Sequence, residues 1–125
     1  MSVNPMAGVP LSDINERIYQ PLSKYLKTDE NVVKPEAIYL GTKMAAIVFT
    51  MLPGQLHKPH KHEDQTQMWI IVSGQGEVIM DDGRTEIVGP GAVCVHHPTQ
   101  LHGIRTVGHE NLVYFTVSEK SSIGK

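Results

Sequence analysis

The sequence predicts an all-β fold, an antiparallel sandwich or barrel, behind an N-terminal arm. Three observations carry this. From about residue 36 the chain is a series of short segments rich in β-branched residues. Glycine turns divide these segments. No helix is expected between them, which disfavours parallel βαβ architecture. The expected strands run in order as follows. Residues 37–40 end at Gly41. Residues 43–51 carry Ile47, Val48, Phe49 and Thr50 and stop before Pro53-Gly54. Residues 67–72 carry Trp69, Ile70 and Ile71 and lead into the turn Ser73-Gly74-Gln75-Gly76. Residues 77–80 precede the hairpin signal Asp81-Asp82-Gly83. Residues 85–88 run to Gly89-Pro90-Gly91, and residues 92–95 follow. Residues 103–107 end at Gly108, and residues 111–118 close the set.

Residues 1–34 read as the arm, with 35–125 as the barrel. Pro5, Pro10, Pro21 and, at its edge, Pro35 interrupt the arm. Ser12 is expected to cap a short helix through Ile14, Ile18 and Tyr19, limited by Pro21, and a turn over 22–26 follows. These apolar residues have little core of their own to join. The arm is therefore expected to lie across the barrel or across a two-fold partner, giving a homodimer.

At 125 residues the chain is one ordinary domain. Its net charge of −2 argues against nucleic acid or an anionic membrane surface as a partner. The single cysteine, Cys94, excludes an intramolecular disulfide and suits a reducing, cytoplasmic setting. It is expected to pack as a small apolar residue. The sequence shows neither a run of roughly 18 apolar residues nor a leader-like start, so neither membrane nor export is expected.

The chemistry concentrates in histidine. Six of the seven histidines fall between positions 57 and 102. His60 and His62 are two apart, so an extended strand turns both to one face. Gln67 shares parity with Trp69 and Ile71, and His102 with Ile104 and Thr106. Inward polar groups on separate strands need partners, and one shared metal ion would satisfy them together. His57 precedes His60 by three residues with Pro59 between. It is expected in a loop and is a candidate fifth ligand. His96 and His97 point to opposite faces, and the pair is expected at the rim outside the barrel. Arg105 has the opposite parity to His102 and is expected outside. On the last strand Val113, Phe115 and Val117 share a face and are expected to pack the core, with Tyr114 and Thr116 on the other.

The stretch Gly54, five residues, His60-Lys61-His62, four residues, Gln67, six residues, Gly74 resembles the first motif of the cupins, with Gln67 in place of the usual Glu. The stretch Gly91, five residues, His97-Pro98-Thr99, two residues, His102, three residues, Thr106 resembles the second. His97, Thr99 and Thr106 there replace the usual Pro, Gly and Asn. The resemblance spans residues 36–118. It implies a double-stranded β-helix, or jelly-roll barrel, with one divalent transition metal (Zn, Mn, Fe or Ni) held by His60, His62, Gln67 and His102. Trp69, Ile104 and Thr116 are expected to line a substrate pocket.

Gln67 changes the electrostatics. Three imidazoles and an amide leave the metal's charge uncompensated, which strengthens it as a Lewis acid and favours an anionic small molecule or hydroxide. The expected function is an enzyme doing isomerisation, cyclisation or lyase chemistry on a polar small molecule. The alternatives are a non-catalytic cupin binding a small molecule or sugar, and a cupin dioxygenase. The ligand set resembles those of uronate-processing cupins, aromatic polyketide cyclases and cupin hydroxynitrile lyases alike. The last strand lacks the carboxylate expected in the first of these groups.

Overall fold

The computed structural model describes residues 19–119, so the expected helix capped by Ser12 lies outside the described residues. The turn expected at 22–26 is a single 3₁₀ turn, Leu22–Tyr25. Nine strands follow among the described residues: β1 (Lys34–Leu40), β2 (Met44–Met51), β3 (Leu56–His60), β4 (Gln67–Ser73), β5 (Gln75–Ile79), β6 (Thr85–Val88), β7 (Val93–His96), β8 (His102–Val107) and β9 (Leu112–Glu119). They form two antiparallel sheets, ordered β1-β2-β9-β4-β7 and β3-β8-β5-β6. Among the described residues no helix is long and apolar enough to cross a membrane.

The expected strands are present, and β3 is additional to them. Its residues, Leu56-His57-Lys58-Pro59-His60, lack the β-branched signature of a strand. Tertiary pairing with β8 holds them extended. This corrects the expectation that His57 sits in a loop, because it lies opposite Ile104 in the β3–β8 ladder. At the β4–β5 corner, Gly74 has a φ of 75°. A Cβ there would stand 2.1 Å from the Asn111 carbonyl oxygen, so no side chain fits.

Met51, Trp69, Ile71, Val78, Ile104, Leu112 and Tyr114 form the core between the sheets. Each large apolar side chain buried there contributes roughly 1.5–3 kcal/mol. On β9 the faces are reversed from expectation. Tyr114 and Thr116 stand opposite Ile71 and Trp69 on the inner face, and Phe115 and Val117 stand on the outer. Tyr114 is wholly buried. The outer face of this sheet is itself apolar, so hydrophobicity alone does not distinguish the two sides.

Candidate metal centre

Four elements bring the histidines together. His60 closes β3 and pairs opposite His102, the first residue of β8. Between His57 and His60 the register slips, so three steps on β3 match two on β8. This bulge falls at Lys58-Pro59, where proline supplies no ladder N–H. It turns both His57 and His60 inward, which strict alternation forbids for residues three apart. β3 must also approach β8 closely. A Cβ on Gly103 would lie 2.8 Å from the Pro59 nitrogen and 2.9 Å from the His57 carbonyl oxygen.

His62 lies just beyond β3. Its carbonyl accepts the Thr99 N–H at 2.7 Å, tying this loop to the segment before β8. Thr99 has a φ of 69°, the left-handed region that a β-branched residue rarely enters. It occupies the position where the cupin motif has glycine.

One nitrogen from each of His60, His62 and His102 lies within 4.8 Å of the others. The Nδ1 atoms of His60 and His102 each lie 2.9 Å from a backbone carbonyl, those of Lys58 and Gln100. A carbonyl only accepts, so each Nδ1 donates and each Nε2 keeps a bare lone pair. The Nε2 atoms of His62 and His102 are buried with no hydrogen-bond partner among the described residues. Unpartnered buried acceptors are costly unless something unseen satisfies them. Three imidazole nitrogens at this separation fit a divalent transition metal by donor type, and on His60 and His102 the tautomer is fixed as well. Burial, then the neighbouring His96, holds the His102 ring down to about 3. His62 is likewise lowered, first by burial and then by His60. Burial thus keeps the His62 and His102 rings in the neutral form, the state that ligates.

Gln67 begins β4 between His96 on β7 and Ser118 on β9. Its Oε1 accepts the Trp69 indole N–H at 2.6 Å and its Nε2 donates to Ser118 Oγ at 2.7 Å. One lone pair of the amide oxygen is therefore engaged. Trp69 and Ile104 are fully buried in the core. The Thr116 hydroxyl donates to the Ile47 carbonyl at 3.0 Å.

Beside the triad, the His57 ring stacks on His60 at 4.9 Å. Its Nδ1 shares a hydrogen bond with the Tyr114 hydroxyl. Burial, then the His60 charge, holds His57 down to about 4, and burial pushes the Tyr114 phenol well up.

The expectation for His96 and His97 is corrected in part. His97 is exposed. His96 is buried on the inner face, opposite Gln67, and stacks on His102 at 4.2 Å and 17°. The signal for it was the alternation Cys94, His96 once β7 is extended by one residue. Arg105 lies outside, as expected, paired with Glu77. Cys94 packs against the core, and burial pushes its thiol up.

Comparison with known proteins agrees with this architecture. No curated protein sequence matches the chain. A double-stranded β-helix protein from Klebsiella pneumoniae superposes with a TM-score of 0.81 at 19% identity, covering 86% of this chain and 94% of that one. An RmlC-like cupin from Desulfovibrio desulfuricans gives 0.74 at 20% identity, over 82% and 96%. KdgF from Halomonas gives 0.66 at 22% identity, over 77% and 86%. The cupin domain family model matches residues 47–118, from mid-β2 through most of β9 and across both histidine motifs. With the paired antiparallel sheets and the histidines at one end of β3 and β8, that match makes this chain a member of the cupin domain family.

Proposed function

We propose that this cupin holds one divalent transition metal on His60, His62 and His102, with Gln67 as fourth donor, and acts as an enzyme on a small molecule. The carrying observation is the set of three imidazole nitrogens within 4.8 Å, two of them buried and unpartnered. Gln67 would donate through the carbonyl lone pair that Trp69 leaves open. A metal bound there supplies Lewis-acid polarisation of a substrate oxygen and lowers the pKa of water. The chain's own residues supply the rest. Lys58 and Gln100 carbonyls fix the two ring tautomers. The His57–Tyr114 pair favours an enzyme over a passive binder, because it places an exchangeable proton in a buried setting beside the triad. Phe49, 4.9 Å from His57 and stacked on Tyr114, keeps that pair in place. His57 as a fifth ligand is the alternative role for the same ring.

Elemental analysis of protein purified without chelator tests this reading. About one equivalent of metal per chain is expected, falling to below about a tenth in His60→Ala and His102→Ala. A wild-type chain that stays metal-poor after reconstitution with Mn, Fe, Ni and Zn overturns it. Turnover is sought by NMR against uronates, keto acids and diketones.

We also propose a homodimer. Met68, Val93 and Val95 expose apolar surface on one face of the five-stranded sheet. Light scattering that returns a monomer at micromolar concentration rules this out.

A further inference from the structure

The metal triad does not use His96, although its burial and contacts tie it to that triad. The ring is 9% exposed and its Nε2 has no hydrogen-bond partner among the described residues. One side stacks on His102, and the edge of Trp69 meets it at 4.3 Å. It lies outside the group of nitrogens that could share an ion. His96 also lines a cavity of about 550 Å³ between the free edges of β6 and β7. That volume falls within the roughly 300–1,000 Å³ of small-molecule sites.

The lining has two parts. Val78, Met80, Val88, Cys94 and Leu101 make an apolar floor. The charged rim is acidic on balance. Arg84 is held by Asp82 at 2.6 Å, which leaves Asp81 and Glu86 without a cation among the lining residues. Asp81 accepts the Leu101 N–H at 2.9 Å and so stays at the rim. An anion would meet repulsion here and find no free guanidinium or ammonium. An apolar body would displace water from the floor, and its one polar group would have His96 Nε2 as partner. A hydroxyl suits that nitrogen in either ring tautomer, because it both donates and accepts.

We infer that the cavity between β6 and β7 binds an uncharged, largely apolar small molecule, and that His96 Nε2 hydrogen-bonds its hydroxyl and places it beside the metal triad. This names a substrate class for the proposed function and rests on that reading only for what happens at the metal. His96 is then a specificity-determining residue, and its ring stack on His102 links the cavity to the triad.

The test compares benzyl alcohol with benzoate, which share a ring and differ in charge, by ¹H–¹⁵N shift mapping at millimolar probe. Metal-loaded and metal-free protein are both measured. Benzyl alcohol is expected to shift Val78, Val88, Cys94 and Leu101 amides, with benzoate binding at least about fivefold more weakly. His96→Phe keeps a stacked ring without the nitrogen. It is expected to keep its metal and weaken benzyl alcohol about fivefold, and His96→Gln is expected to recover part of that loss. Three results each overturn the inference: absence of cavity shifts with either probe, benzoate binding as well as the alcohol, or loss of metal in His96→Phe, which would make His96 a ligand. If the chain takes up no metal and the cavity shifts stand, the metal reading fails and the cavity assignment survives.

Discussion

Two of the residues that depart from the cupin motifs, Thr99 and Gln67, each have a measurable consequence. Thr99 holds a left-handed backbone where the motif has glycine. That conformation costs a β-branched residue roughly 1–2 kcal/mol, and the segment keeps it because Thr99 N–H anchors the His62 carbonyl. Thr99→Gly keeps the anchor and removes the strain, partly offset by about 0.5–1 kcal/mol of added chain entropy. A rise of a few degrees in Tm is expected, and a fall would mean that the threonine side chain has a stabilising role of its own. Gln67 is the second departure. Glutamate in its place still accepts the Trp69 indole N–H and adds a charge opposite to the metal's. Gln67→Glu is expected to slow metal loss to a competing chelator by on the order of tenfold. Unchanged or faster loss would show that position 67 only orients its neighbours. Both sites were legible as motif positions. The strain at Thr99 and the amide's bonds to Trp69 and Ser118 were not, because a φ angle and a cross-strand partner are set by tertiary structure.

β3 shows where strand-scale reading stops. Periodicity found β1, β2 and β4 to β9 because their β-branched residues announce strands. It passed over Leu56–His60, where lysine, proline and two histidines stand instead. Alternation then placed His57 off the face of His60, since it has no way to include a bulge. The same limit reversed β9, where both faces of the sheet are apolar and Tyr114 rather than Phe115 enters the core. It also left His96 at the rim, because the valines of β7 face outward, with Val93 58% exposed. The bulge works only if β3 lies tight against β8, and Gly103 permits that. Gly103→Ala would press a methyl group into Pro59 and the His57 carbonyl at under 3 Å, and backbone cannot yield as a flexible side chain can. The variant is expected to lose about 1–3 kcal/mol of stability and most of its metal, while β1 and β2, remote from this contact, keep their amide protection. Full metal content in Gly103→Ala would show that the β3–β8 spacing does not set the ligand geometry.

At the scale of the whole molecule, burying so many imidazoles together couples folding to protons and to metal. Burial and then the neighbouring His60 hold His57 and His96 down to about 4, and burial and then His96 hold His102 down to about 3, against 6.5 for an ordinary histidine. Between those values the unfolded chain binds protons that the folded chain refuses. Stability is therefore complete above about pH 6.5. It falls on acidification by about 1.4 kcal/mol per pH unit for each such histidine, until the folded rings titrate. Ordinary carboxylates begin to contribute only nearer pH 4 to 5, so the interval from about 6.5 to 5 isolates the imidazoles. In metal-free protein Tm is expected to be flat from about pH 8 to 6.5 and then to drop by about 5 °C or more per pH unit. A metal bound to the folded triad adds stability by mass action and competes with protons for the same nitrogens. The loaded protein should hold its Tm further into acid and then release metal and unfold together. A metal-free melt that stays level to about pH 5 would mean that the buried rings are not neutral by cost of burial. Coincident curves for loaded and metal-free protein would mean that the metal does not sit on these rings.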